Sequence, residues 1–141
     1  MSVTSEATTL WSGDLTSGAG TTKLDSSGAA EFDVTWAARS EGVATKTNPE
    51  ELLAAAHSAC FSMAFSGALG KNGTPPESLH VTAAVTFEPG TGITGSHLLV
   101  SAKIPGISDE VFQRLADEAK TGCPVSRALA GITVTLEASL A

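Results

Sequence analysis

The spacing of apolar and polar positions changes period twice along the chain. The first third, rich in Thr, Ser and Gly, carries three short runs, "ATTLWSGDL", "GTTKLDS" and "AAEFDVTWAA", which read as strands. The separators "TSGAG" and "DSSGA" supply the small and polar residues of tight turns, so an antiparallel sheet is expected. The period then becomes helical in "TNPEELLAAAHSACFSMAFSGALGKNG". Asn48 is placed to cap this helix, Pro49 suits its first position, and Glu50 and Glu51 favour the positive end of the dipole. Gly70 or Gly73 is expected to end it. Being apolar on most sides, it has to be wrapped by sheet or by another subunit.

Two strands follow, "HVTAAVTFE" and "HLLVSAKIP", with the Gly-rich "PGTGITG" between them. "SDEVFQRLADEAKTG" predicts a surface helix capped by Ser108, with Val111, Phe112, Leu115 and Ala119 on one face. A short second helix starts at Cys123-Pro124, and "GITVTLEASL" closes the chain as a strand. The pattern predicts one α+β domain over residues 1–141, with antiparallel sheets around a long central apolar helix.

With 42% hydrophobic and 16% charged residues, the 141-residue chain is that of an ordinary globular protein able to bury a real core. The formal charge of −7, with only eight scattered Lys and Arg, argues against a nucleic-acid partner and against an acidic membrane surface. "MSVTSEATTLWSGD" lacks the basic and apolar regions of a signal peptide, so a cytoplasmic location is expected. The apolar stretch Leu52 to Leu69 is interrupted by His57, three serines and Gly67, as in a core helix and unlike a membrane span.

Two cysteines, Cys60 and Cys123, lie about sixty residues apart. In a reducing compartment such a pair is either redox-active or simply reduced. Ala56, His57, Met63 and Ala64 are the helical neighbours of Cys60, and the two alanines leave room for a small molecule beside the sulfur. Phe61, Met63 and Phe65 would make that space oily. Taken alone, the stretch reads first as a helix in which Cys60 is a small core hydrophobe. Set among apolar groups it should have a raised pKa, so a working Cys60 needs a cationic partner. Arg39, Lys46, Arg114 and Arg127 are the candidates, each also readable as a solvated surface charge. Cys123, followed by Pro, sits near unpaired N–H groups of a helix start, which lowers a thiol pKa below about 8.5. His57 is spaced to pair with Cys60 as in a thiol hydrolase, or to be a hydrogen-bonded core histidine.

"TNPEELLAAAHSACFSMAFS" and "GCPVSRAL" together resemble the two signature segments of the OsmC/Ohr family, the osmotically inducible and organic hydroperoxide resistance proteins. The double Glu and the His three residues before the cysteine resemble the OsmC branch more than the Ohr branch. "W-x-G-D" at Trp11 and "ARSEG" before the helix extend the similarity over nearly the whole chain. The resemblance implies a thiol peroxidase acting on organic hydroperoxides, in an intertwined homodimer with active sites at the subunit interface. It implies Cys60 as the peroxidatic cysteine and Cys123 as the resolving one, the two forming a disulfide. Arg39 would activate the thiolate and Glu50 would orient Arg39. It also implies a dihydrolipoyl-type dithiol as reductant; no metal and no bound organic cofactor are expected.

Glu50 and Cys60 are ten residues apart, about 15 Å along a continuous helix. They can act together only if Glu50 serves a partner subunit's Cys60 or the helix breaks between them. The small-residue row Ala55, Ala59, Ser62 and Ser66 would allow the close helix approach of such a dimer. Two other readings keep the same residues: a peroxide-sensing or apolar-ligand module, and a hydrolase built on Cys60 and His57.

Overall fold

A computed structural model describes residues 1–141 as two compact units, Met1–Pro49 and Glu50–Ala141. In the first unit, β1 (Ala7–Ser12), β2 (Ala19–Leu24) and β3 (Glu31–Val34) form a three-stranded antiparallel sheet in that order. The turn between β1 and β2 is tied by Asp14, whose carboxylate accepts the Ser17 N–H and hydroxyl, each at 2.7 Å. Gly18 closes the same turn on the Asp14 carbonyl at 3.0 Å, and a Cβ there would stand 2.3 Å from that oxygen, so the turn admits only glycine.

The run 29–38 does not continue as a strand. Thr35 is extended and its hydroxyl accepts the Ala38 N–H at 3.2 Å, capping a short helix α1, Trp36–Ser40. Arg39 therefore sits in the last turn of a helix rather than in a segment trailing a strand. The alternation masked a cap, because threonine suits both a strand and an N-cap.

The long helix α2 spans Pro49–Lys71 without a break, with Pro49 at its first position as expected. Its end is a Schellman motif: Gly73 is left-handed (φ +79°), the Thr74 N–H reaches the Leu69 carbonyl at 3.0 Å, and the Gly73 N–H reaches that of Gly70 at 3.0 Å. By length and composition α2 could cross a membrane. Its acidic start, and the burial of His57, Phe61, Phe65 and Leu69 at a spacing of four, assign it to the protein's core. The opposite side, including Ala55, Ala59, Met63 and Ser66, is exposed within one chain.

β4 (Ser78–Glu88) and β5 (Gly92–Lys103) form an antiparallel hairpin. The segment "PGTGITG" is largely strand, since only Pro89–Thr91 turns and Gly92 already pairs with Glu88. After β5 come α3 (Asp109–Gly122), α4 (Pro124–Ala128) and β6 (Thr133–Leu140). The sheet order is β4-β5-β6. The β5–β6 pairing is parallel, from Gly95 opposite Thr133 to Ala102 opposite Leu140, where antiparallel pairing was expected throughout. The reason is the crossover: two helices carry the chain back before β6 begins, so it re-enters in the same direction as β5. The fold remains α+β, with two small sheets and a long helix.

Ser108 caps α3 through the Val111 N–H, and Phe112, Leu115, Ala116 and Ala119 form its buried face. That face joins Phe61, Phe65 and Leu69 of α2 and Leu98, Val100 and Ala102 of β5 in one core. Phe65 is central, with ring centroids 5.5 Å from Phe61 and 5.7 Å from Phe112, both tilted by 47°. Such pairs contribute roughly 0.5–1.5 kcal/mol each beyond burial.

Candidate active site

The core that α2, α3 and β5 share brings the two sulfurs together. Cys60, in the middle of α2, is half-buried; Cys123, at the joint between α3 and α4, is fully buried, and both are free thiols. Cys123 belongs to the buried core and Cys60 packs against it, so that the two sulfurs influence each other's titration. Cys123 is held at the joint by its own N–H on the Ala119 carbonyl (2.9 Å) and its carbonyl under the Arg127 N–H (3.0 Å). Pro124 then opens α4 without needing a donor of its own.

Their electrostatics differ in sign. Burial pushes the Cys60 thiol up and the neighbouring Cys123 sulfur adds to this, against a lowering contact from the Val125 N–H. For Cys123, burial also works upward but is outweighed. The Ser126 N–H, the Cys60 thiol, the Ser126 hydroxyl and the Val125 N–H all donate to it and hold it below the ordinary thiol value. Both directions match the expectation from sequence, and the helix-start donors are those of α4.

The expected oily surround of Cys60 is only partly present. Phe61 and Phe65 are turned into the core with no exposed surface, while Met63 is 75% exposed on the open side of α2. The apolar face beside Cys60 consists of Met63 and small residues.

His57 does not pair with Cys60. It is completely buried, with Nδ1 2.7 Å from the Ser96 hydroxyl and Nε2 2.7 Å from the Ser126 hydroxyl, so both ring nitrogens are engaged elsewhere. Burial lowers its pKa, keeping the ring neutral near pH 7. This arrangement lacks the cysteine–histidine contact that a hydrolase requires.

Glu50 is buried in the first turn of α2, and the unbroken helix keeps it about 15 Å from Cys60 along the axis. Arg39 lies on α1 in the first unit. No three His, Cys, Asp or Glu side chains gather where they could hold a metal ion.

Sequence reasoning passed over Ser96 and Ser126. A signal was present for each. Ser96 occupies an inward position in the alternation Ser96, Leu98, Val100, Ala102, where an apolar residue is the rule. Ser126 follows Cys123 by three residues at a helix start, within reach of its sulfur.

A family model described as OsmC-like protein matches residues 41–137, a span that includes Glu50, Cys60 and Cys123. The chain belongs to the OsmC family. Among known proteins it is similar to the peroxiredoxin OsmC of Escherichia coli, 41% identical over 122 residues that cover 84% of this chain and 85% of the relative. An organic hydroperoxide resistance protein-like relative from Staphylococcus aureus is 34% identical, with 73% and 74% covered. The crystal structure of the organic hydroperoxide resistance protein OhrB of Bacillus subtilis matches with a TM-score of 0.71 at 26% identity, covering 97% of this chain and 98% of that one. These relatives support a peroxide-related redox function.

Proposed function

We propose that the protein is a cysteine-based peroxidase that reduces organic hydroperoxides to alcohols. The observation that carries this reading is the pair of free thiols, Cys60 and Cys123, brought to one core from distant parts of the chain. The relatives named for peroxiredoxin activity and hydroperoxide resistance support it.

In the first step the Cys60 thiolate attacks the outer peroxide oxygen. The O–O bond breaks, the alkoxide takes a proton to leave as alcohol, and Cys60 becomes a sulfenic acid. Cys123 then attacks the Cys60 sulfur, the S–O bond breaks as the S–S bond forms, and hydroxide leaves and is protonated to water. An external dithiol, of dihydrolipoyl type on family grounds, returns both cysteines to thiols and is itself oxidised to a disulfide.

The Cys60 thiol, pushed up by burial, needs a cation to ionise. Arg39 is the proposed one, since a guanidinium stays charged and offers donors to both sulfur and peroxide. Glu50 is proposed to orient it. Because Glu50 stands about 15 Å from Cys60 on the same helix, the pair is assigned to a second subunit of a homodimer. The exposed small-residue side of α2 suits such an approach. Met63 and the alanines beside Cys60 favour alkyl and lipid hydroperoxides over hydrogen peroxide, and a cytoplasmic setting fits a thiol pair that must be re-reduced.

The test is intact-mass analysis and peptide mapping after one equivalent of cumene hydroperoxide. The expected product has lost two hydrogens, with Cys60 linked to Cys123, and Cys60→Ser consumes no peroxide. Peroxide consumption that survives in Cys60→Ser, or faster turnover of hydrogen peroxide than of cumene hydroperoxide, would contradict the reading.

A further inference from the structure

His57 takes no part in the chemistry above, yet it is a fully buried titratable side chain bonded to Ser126, which follows Cys123 by three residues at the start of α4. Hydrogen bonds of 2.7 Å run from Ser96 on β5, through His57 on α2, to Ser126 on α4, the helix that Cys123 heads. Ser96 is 1% exposed, His57 0% and Ser126 8%, so water does not compete for these groups.

Two proton orders satisfy this chain, and one of them leaves the Ser126 proton free for Cys123. In that order the single Ser126 proton goes to the Cys123 sulfur, which agrees with the lowering of the Cys123 pKa by the Ser126 hydroxyl. The Ser126 oxygen must then accept from His57, which places the ring proton on Nε2. Nδ1 is left as an acceptor and takes the Ser96 proton. In this order every donor points towards Cys123, and a neutral ring is the form it needs.

Resting on the peroxidase reading, we propose that Ser96, His57 and Ser126 form a positioning relay that aims the Ser126 hydroxyl proton at Cys123, and so governs disulfide closure rather than peroxide attack. Closure requires the Cys123 sulfur to offer an electron pair to Cys60 as the S–O bond breaks and hydroxide departs. A hydroxyl fixed on Cys123 keeps that pair on a thiolate aligned with Cys60. If Ser126 is free to rotate, the thiolate loses one of its donors and its alignment. His57 is a positioning residue here, since it touches neither substrate nor sulfur.

A single-turnover experiment separates the steps: alcohol release reports attack at Cys60, and dimedone trapping against disulfide mass reports closure. In Ser126→Ala closure is expected to slow about tenfold more than attack, the loss of one hydrogen bond to a charged acceptor, with trapped sulfenic acid accumulating. Ser126→Thr, which keeps the hydroxyl, should restore most of the rate. His57→Phe should show the same selective loss, and the double variant His57→Phe/Ser126→Ala should be no slower than either single one. Equal slowing of both steps, failure of Thr to rescue, or closure at the unaltered rate in Ser126→Ala would overturn the relay and leave the peroxidase reading standing. If Cys60 of the unaltered protein is not oxidised at all, the peroxidase reading fails and takes the relay with it. Should His57→Phe not fold, the Ala and Thr variants at 126 decide alone.

Discussion

Residues 1–49 and residues 50–141 solve the burial problem in opposite ways. The second unit has a core of its own, in which three phenylalanines, Leu69, Leu98 and Val100 are closed off by α2, α3 and β5. In the first unit only Gly20 and Ala38 are buried; every residue of β1 is exposed, Leu10 to 76% and Trp11 to 37%. A three-stranded sheet without a covered apolar face is marginal in water. The difference teaches that stability and chemistry are separable here. The sulfurs lie inside the self-sufficient unit, while the cation proposed to activate them is carried by the unit that hides almost nothing.

The strongest way to break that contrast is at Phe61, whose neighbours Phe65 and Cys60 link the core to the site. Phe61→Ala should destabilise the protein by roughly 3–5 kcal/mol, a large share of the stability of a small domain, measured by denaturant unfolding. A loss under 1 kcal/mol would mean that the second unit is not the one that holds the fold together.

Next in size is Arg39. Arg39→Ala should lower peroxide consumption on the order of 10- to 1,000-fold, the thiolate fraction lost when a neighbouring cation is removed. Mixing and reassociating Arg39→Ala with Cys60→Ser chains should regain activity if arginine and cysteine come from different subunits. If the mixture stays inactive although mixed dimers form, the two residues act within one chain.

The smallest effect is a pH dependence from His57. Its folded pKa is lowered by burial from the ordinary 6.5, so below that pH the unfolded chain takes up a proton that the folded ring refuses. The contribution to stability is complete above about pH 6.5 and is lost as the pH falls through the folded value. The unfolding temperature should fall more steeply between about pH 7 and 5 in the unaltered protein than in His57→Phe. Parallel slopes would show that the folded ring takes up its proton as readily as the unfolded one.

Much of this was legible from residues alone, for definite reasons. The Pro49 start, the Gly73 stop and the Ser108 cap are local chemistry, decided within one turn of chain. The opposed pKa directions of the two thiols were also local, since one is mid-helix among apolar groups and the other heads a helix. Thr35 shows the limit, because a residue that suits both strand and cap leaves the boundary to its surroundings.

What sequence by itself determined were the elements, their caps, the α+β class and the two cysteines as the residues to watch. Only tertiary structure decided that β6 runs parallel to β5, that Cys60 and Cys123 meet at one core, and that His57 turns away from Cys60 to two serines. The physical reason is range. Capping and periodicity act over three or four residues, whereas which buried polar groups satisfy one another across 39 or 69 residues depends on how the helices and sheet close over a shared core.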